Sequence, residues 1–163
     1  MIRTLGAMAD ATERAQQFVT TLQARLDAAR GRAECLPRRP RVFFEEWDDP
    51  LISAIGWVSE LIETAGGIDV FADRATQAAA KDRVVTLDEV IERQPDLIIG
   101  SWCGKKFRPE RVAARPGFAQ VPAVQHGDLY EIKSSLILQP GPAALTDGLA
   151  AIESIIAGWA SRI

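Results

Sequence analysis

Histidine and tyrosine each occur once in these 163 residues, and cysteine twice. His126 alone cannot build a zinc site from Cys and His, and Cys35 and Cys103, 68 positions apart, form no C-x-x-C pair. The two thiols suit either one disulfide in an oxidising compartment or two unrelated sites. No apolar run approaches the about 18 residues of a membrane-spanning helix. Residues 1–10 carry one arginine and no apolar core before a small-residue cleavage site, so no signal peptide is read there. A formal net charge of −3 argues against nucleic acid, which needs a clustered positive surface. Repeats and low-complexity tracts are missing too. What is there, 47% hydrophobic and 25% charged residues, suits one soluble domain with a single core.

Leu5, Met8, Ala11, Ala15, Phe18, Leu22 and Leu26 recur at spacings of three or four. Residues 4–30 therefore read as one amphipathic helix, stopped at Gly31 and roughly 40 Å long at ~1.5 Å per residue. Residues 30–41 form a basic connector that Pro37 and Pro40 keep extended, read as a solvated linker. Beyond it, strands are expected over 41–45, 68–71, 96–100, 122–125 and 129–132. Helices are expected over 50–65, 86–93, 109–114 and 142–160. Thr86 with Glu89 makes a capping box, and Gly127-Asp128 has the chemistry of a hairpin turn. This alternation predicts an α/β fold, a Rossmann-like three-layer lobe with a mostly parallel central sheet, preceded by a long N-terminal helix.

In such a sheet ligands bind beyond the carboxyl ends of the strands. Three loops lie there: Glu46-Trp47-Asp48-Asp49-Pro50, then Ser101-Trp102-Cys103-Gly104-Lys105-Lys106, then Lys133-Ser134-Ser135 running on to Gln139-Pro140-Gly141-Pro142. Two of them place a tryptophan just after the strand, where it either folds back as a lid of the core or faces something flat and apolar. Glu45, Glu46, Asp48 and Asp49 could hold a hard cation, but they lack the Gly-punctuated spacing of a calcium loop. A phosphoacceptor pocket fails because Asp96 begins its strand. "SWCGKK" compares with the W-C-G-x-C of thioredoxins, with Lys106 in the second cysteine's place, so redox or other α/β enzyme chemistry at Cys103 is the alternative function. His126 reads as a turn residue, and no Ser-His-Asp arrangement can be assembled.

Taken in order, "EEWDDPL", "GWVSELIETAGGIDVFAD", "TLDEVIERQPDLIIGSWCG", "RPGFAQVPAVQHGDLYEI" and "QPGPAALTDGLAAIESII" resemble the C-terminal lobe of the cobalamin and iron-chelate substrate-binding proteins of ABC importers. The likeness is greatest to the cobalamin-binding branch. It implies a backbone helix over residues 1–31, a linker over 32–41 and an α/β lobe over 42–163, with the family's first lobe absent. It also implies capture without catalysis of cobalamin or a related chelate such as heme or a ferric siderophore, as a transported ligand rather than a covalent cofactor. The ligand-facing positions carried over are Glu46, Trp47, Asp49, Pro50, Trp57, Trp102, Cys103, Gly104, Gln139 and Pro140. Gln139 replaces the arginine frequent before the P-G-P element, and Gly56 replaces a polar residue before Trp57. Glu60 and Glu63 are the candidates for docking on an ABC permease. Family likeness places such a protein in the periplasm or on a lipid anchor outside the cell; without a leader it would stay in the cytoplasm. A lone lobe is expected to bind weakly and to pair with a second copy through its exposed spine.

Overall fold

In the computed structural model, which describes residues 1–162, the N-terminal helical pattern breaks at Asp10. Instead of one helix there are two, α1 (Ile2–Met8) and α2 (Thr12–Glu34). Asp10 adopts a left-handed φ of 50°, which an aspartate tolerates better than most side chains, and α1 packs back onto α2. The apolar spacing runs through both helices, so periodicity alone hid the break. At its other end α2 passes Gly31 and continues to Glu34, giving a spine about 34 Å long. A lone helical glycine costs only about 1 kcal/mol and does not stop a packed helix.

The connector is mostly exposed, as a solvated linker should be, and its arginines also tie it to the lobe. Arg38 lies 4.0 Å from the Trp159 ring centre. Arg39 donates to the carbonyls of Gly66 and Gly67 at 3.1 and 2.6 Å, and Arg41 donates to the Arg93 carbonyl at 3.1 and 2.7 Å. The last two arginines thus satisfy carbonyls at helix C-terminal ends, Arg39 just past the helix over Gly56–Thr64 and Arg41 at the last residue of the helix over Leu87–Arg93.

Next come β1 (Arg41–Asp48), β2 (Leu51–Ser53), α3 (Gly56–Thr64), β3 (Ile68–Asp69), α4 (Ala72–Ala75), α5 (Leu87–Arg93) and β4 (Leu97–Gly100). They are followed by α6 (Pro109–Ala113), α7 (Pro122–Gln125), β5 (Leu129–Glu131), α8 (Ser134–Ile137) and α9 (Leu149–Ala160), the last entered through a π-helical turn at Ala144–Gly148. The sheet order is β2-β1-β4-β5, with β3 beside the start of β1. All pairings are parallel except β1 with β2. Val42, Phe44, Leu97 and Ile99 face a core shared with α2, α3 and α9, while Phe43 and Ile98 face another shared with Phe71, Val90, Val112 and Phe118. Strands buried on both faces, with helices over each, give the expected three-layer α/β lobe.

Three expectations fail locally. Residues 50–65 are not one helix: Asp49-Pro50, joined by a cis peptide, turns β1 back into β2, and α3 starts only at Gly56. Leu51 and Ile52 have helical spacing to Ile55 and Val58, but pairing with β1 decides their conformation. Residues 122–125 are helix α7, with Pro122 preset for a first turn, rather than a strand. Gly127, at φ 74°, ends that helix in the left-handed region, so Leu129 enters β5 parallel to β4 and no hairpin forms. The Thr86–Glu89 capping box is present, with the Glu89 carboxylate accepting from the Thr86 N–H at 2.8 Å.

Candidate functional site

The carboxyl ends of β1, β4 and β5 form one edge, and its buried polar chemistry starts at Glu45. Glu45 has no exposed surface and lies on the same side of β1 as Phe43. Its carboxylate accepts two bonds from Arg115, at 2.6 and 2.7 Å, and one from the Trp102 indole N–H at 2.8 Å. A charge buried this far persists only when its acceptors are filled. Trp102, expected as a cleft-facing aromatic, is therefore a core residue, 3% exposed, meeting Phe107 edge-on at 5.0 Å. Gly100 makes this possible, because a Cβ there would run into the Phe107 ring.

The pairing of β1 with β2 slips between Glu45 and Trp47, so Glu46 is the extra residue of a bulge. Glu46 pairs with the buried Arg83 at 2.7 Å, and that guanidinium also donates to the Ser53 carbonyl. Past the bulge Trp47 is half-buried, its indole N–H donating to the Asp49 carbonyl at 2.8 Å. Lys105 lies over it, with Nζ 4.0 Å from the Trp47 ring centre and 5.6 Å from that of Trp102. The same ammonium pairs with Asp48, and Arg111 stands 3.8 Å from the other Asp48 oxygen. Glu45, Glu46 and Asp48 are thus committed to cations of this chain, and of the four acids only Asp49, which is exposed, forms no ion pair among the described residues. Cys103 and Gly104 are exposed on the loop that carries Lys105, and neither cysteine is in a disulfide. At the end of β5, Lys133 donates to Glu131 at 2.9 Å and holds that carboxyl below its ordinary range.

Trp57 sits elsewhere on the edge. Half-buried at the start of α3, it donates from its indole to the Ile137 carbonyl at 2.9 Å. Its ring lines an open groove of about 470 Å³ with Pro140, Pro142, Leu145, Ile2 and Val19. The groove is almost wholly apolar and contains none of Glu46, Trp47, Asp49, Pro50 or Trp102. Trp57 and Pro140 are therefore brought together, Gln139 is exposed next to them, and Trp47 belongs to a separate, charged part of the edge. Glu63 is paired with Arg39 at 2.6 Å and accepts from the Asp69 N–H at 3.2 Å. Glu60, exposed on α3, forms no ion pair among the described residues.

The sequence reasoning missed Arg83 and Arg115, which lie 37 and 70 positions from the acids they neutralise. No spacing rule reaches that far. Lys105 had a faint signal in the basic run after Cys103.

The profile of the family described as periplasmic binding protein matches residues 1–136. Among solved structures, the chain is similar to the periplasmic heme-binding protein RhuT from Roseiflexus sp. RS-1, at 25% identity and a TM-score of 0.75, covering 95% of this chain and 61% of that one. An ABC transporter substrate-binding protein from Listeria monocytogenes matches at 17% identity and a TM-score of 0.79, covering 96% and 62%. The periplasmic vitamin B12 binding protein BtuF of Vibrio cholerae matches at 21% identity and a TM-score of 0.74, covering 99% and 60%. The last two likenesses speak to fold alone. The chain spans about three-fifths of the length of these relatives. No curated protein matches it.

Proposed function

The chain belongs to the periplasmic binding protein family, and from that premise we propose that it helps capture a metal chelate for an ABC importer, the chelate being of the heme, ferric siderophore or cobalamin kind. The observation that carries the proposal is the apolar groove of about 470 Å³ walled by Trp57 and Pro140 at the carboxyl edge of the sheet. A flat aromatic wall anchored by its indole N–H suits a large, mostly apolar ligand whose polar rim is met by loop backbone groups. The family is a class of substrate-binding proteins, and the paired acids support holding rather than turnover. Permease docking through Glu60 and Glu63, a periplasmic or lipid-anchored site of action, and self-association over α1 and α2, where Leu5, Met8 and Phe18 stand exposed, belong to the same proposal.

Titration with hemin, ferrichrome and cyanocobalamin, followed by tryptophan fluorescence and ligand absorbance, tests it. One of the three is expected to saturate in the micromolar range or weaker, and Trp57→Ala to weaken that binding about tenfold or more, the size of a central aromatic contact. Failure of all three ligands to saturate would remove the proposal. Submicromolar affinity would contradict the view that a second lobe supplies half of the contacts.

A further inference from the structure

Resting on that capture proposal, we infer that α1 is a hinged lid of the Trp57 groove and closes over a bound ligand by turning an apolar stripe, Met1-Leu5-Met8, toward it. Met1, Ile2 and Arg3 line the groove, together with Val19 of α2, Trp57 and Pro140. Met1, Leu5 and Met8 are spaced by four and three, so they fall on one helical face, and all three stand exposed. Met1 belongs to both the stripe and the groove lining, so the stripe starts at the groove's rim. An open apolar groove and an exposed apolar stripe thus lie side by side. A large flat ligand in the first would present an outer apolar face for the second to cover.

The attachment of α1 is that of a part able to move. Gly6 is the one buried residue of α1, seated so close to α2 that a Cβ there would run into the Cβ of Ala15. The bond from the Arg3 guanidinium to the Gln16 side chain, at 2.9 Å, is exposed. The turn over residues 9–11 closes on its own backbone, the Ala11 N–H donating to the Gly6 carbonyl at 2.7 Å. Asp10 takes the left-handed place that usually falls to glycine. The helix end is therefore satisfied within residues 6–11, and α1 keeps its shape when it swings about Asp10. Elements with so little buried surface open most readily, and lids are drawn from them. A second copy over the same stripe, the other cover proposed above, competes with the ligand for it.

Hydrogen exchange of residues 2–8, read by mass spectrometry at low and high protein concentration, tests the lid. Without ligand these amides should exchange fast. Whichever of hemin, ferrichrome and cyanocobalamin saturates should slow them about tenfold or more, while the middle of α2 changes little. Gly6→Ala, whose new Cβ meets Ala15, should hold α1 off α2 and release that ligand about tenfold faster in stopped flow, the loss of roughly one apolar side chain of cover. Alanine favours helix over glycine, so a weaker α1 helix does not explain such a loss. Adding Ala15→Gly makes room again, leaving the Ala11 carbonyl 3.3 Å away, and should restore slow release. Thermal unfolding confirms that each variant folds. Amides of α1 that are slow without ligand, or that saturating ligand leaves unchanged, overturn the lid while capture stands. So does wild-type release from Gly6→Ala, or fast release that Ala15→Gly does not correct. Protection that follows protein concentration and ignores ligand gives the stripe to a second copy and overturns the lid as well. If none of the three ligands saturates, the capture proposal falls and the lid falls with it.

Discussion

Trp47 follows the parallel part of β1 and Trp102 follows β4, on neighbouring strands of one sheet edge, yet Trp102 is sealed in the core and Trp47 lies half-open under a lysine. The difference comes from what the neighbouring strand offers. Beside Trp102, Gly100 leaves room for Phe107, and Glu45 from the adjacent strand accepts the indole N–H, so the whole ring can leave water with its polar atom satisfied. Trp47 comes after a bulge and belongs to a hairpin that runs past the parallel sheet, where its N–H reaches only the carbonyl of Asp49, two residues on. Two tryptophans at equivalent strand ends thus do different work, one closing the core and one holding a charge at the surface.

The largest effect should come from breaking the sealed end. Glu45→Ala leaves the Arg115 guanidinium, 13% exposed, and the Trp102 N–H without their acceptor. Removing one partner of a buried pair costs about 3–5 kcal/mol, so urea unfolding should show a loss of that order, or no folded protein at all. A loss under about 1 kcal/mol would mean that Glu45 is not the partner that seals this end. Trp102→Phe is the gentler version. It keeps an aromatic against Phe107 but gives up the bond to Glu45 and some volume, for about 2 kcal/mol. Equal losses for the phenylalanine variants of the two tryptophans would erase the comparison.

Much of the lobe was legible in local patterns. The run Val42-Phe43-Phe44 and "LIIG" before Ser101 announce strands buried on both faces, and Thr86 with Glu89 announces the start of α5. Trp57 and Pro140 were legible only through family likeness, and they do share a groove. What stayed hidden depends on pairing across distance. Leu51-Ile52-Ser53 becomes a strand because β1 lies beside it, and the acids after Phe44 look free until Arg83, Lys105 and Arg115 arrive from other elements. A patch of carboxylates in sequence says nothing about which cations the fold will bring to it. The break at Asp10 was hidden for the opposite reason, since one apolar rhythm serves both helices and only a short turn over residues 9–11, with Asp10 at a left-handed φ, separates them.

The smallest effect is expected at Trp47. Trp47→Phe removes a half-exposed ring edge and a bond to a local carbonyl, changes that cost about 1 kcal/mol or less. Its consequence should appear instead in how tightly Lys105 is held. A phenyl ring attracts a cation less than an indole does, so the ammonium should spend more time away from the ring and its bridge to Asp48 should be easier to screen with salt. Unfolding of Trp47→Phe in low and in roughly 1 M salt should therefore differ by more than it does for the wild type, while Trp102→Phe, whose lost bond is buried, should respond to salt as the wild type does. If Trp47→Phe instead destabilises as much as Trp102→Phe and shows no added salt response, the ring belongs to the core, and Lys105 merely passes over it on the way to Asp48.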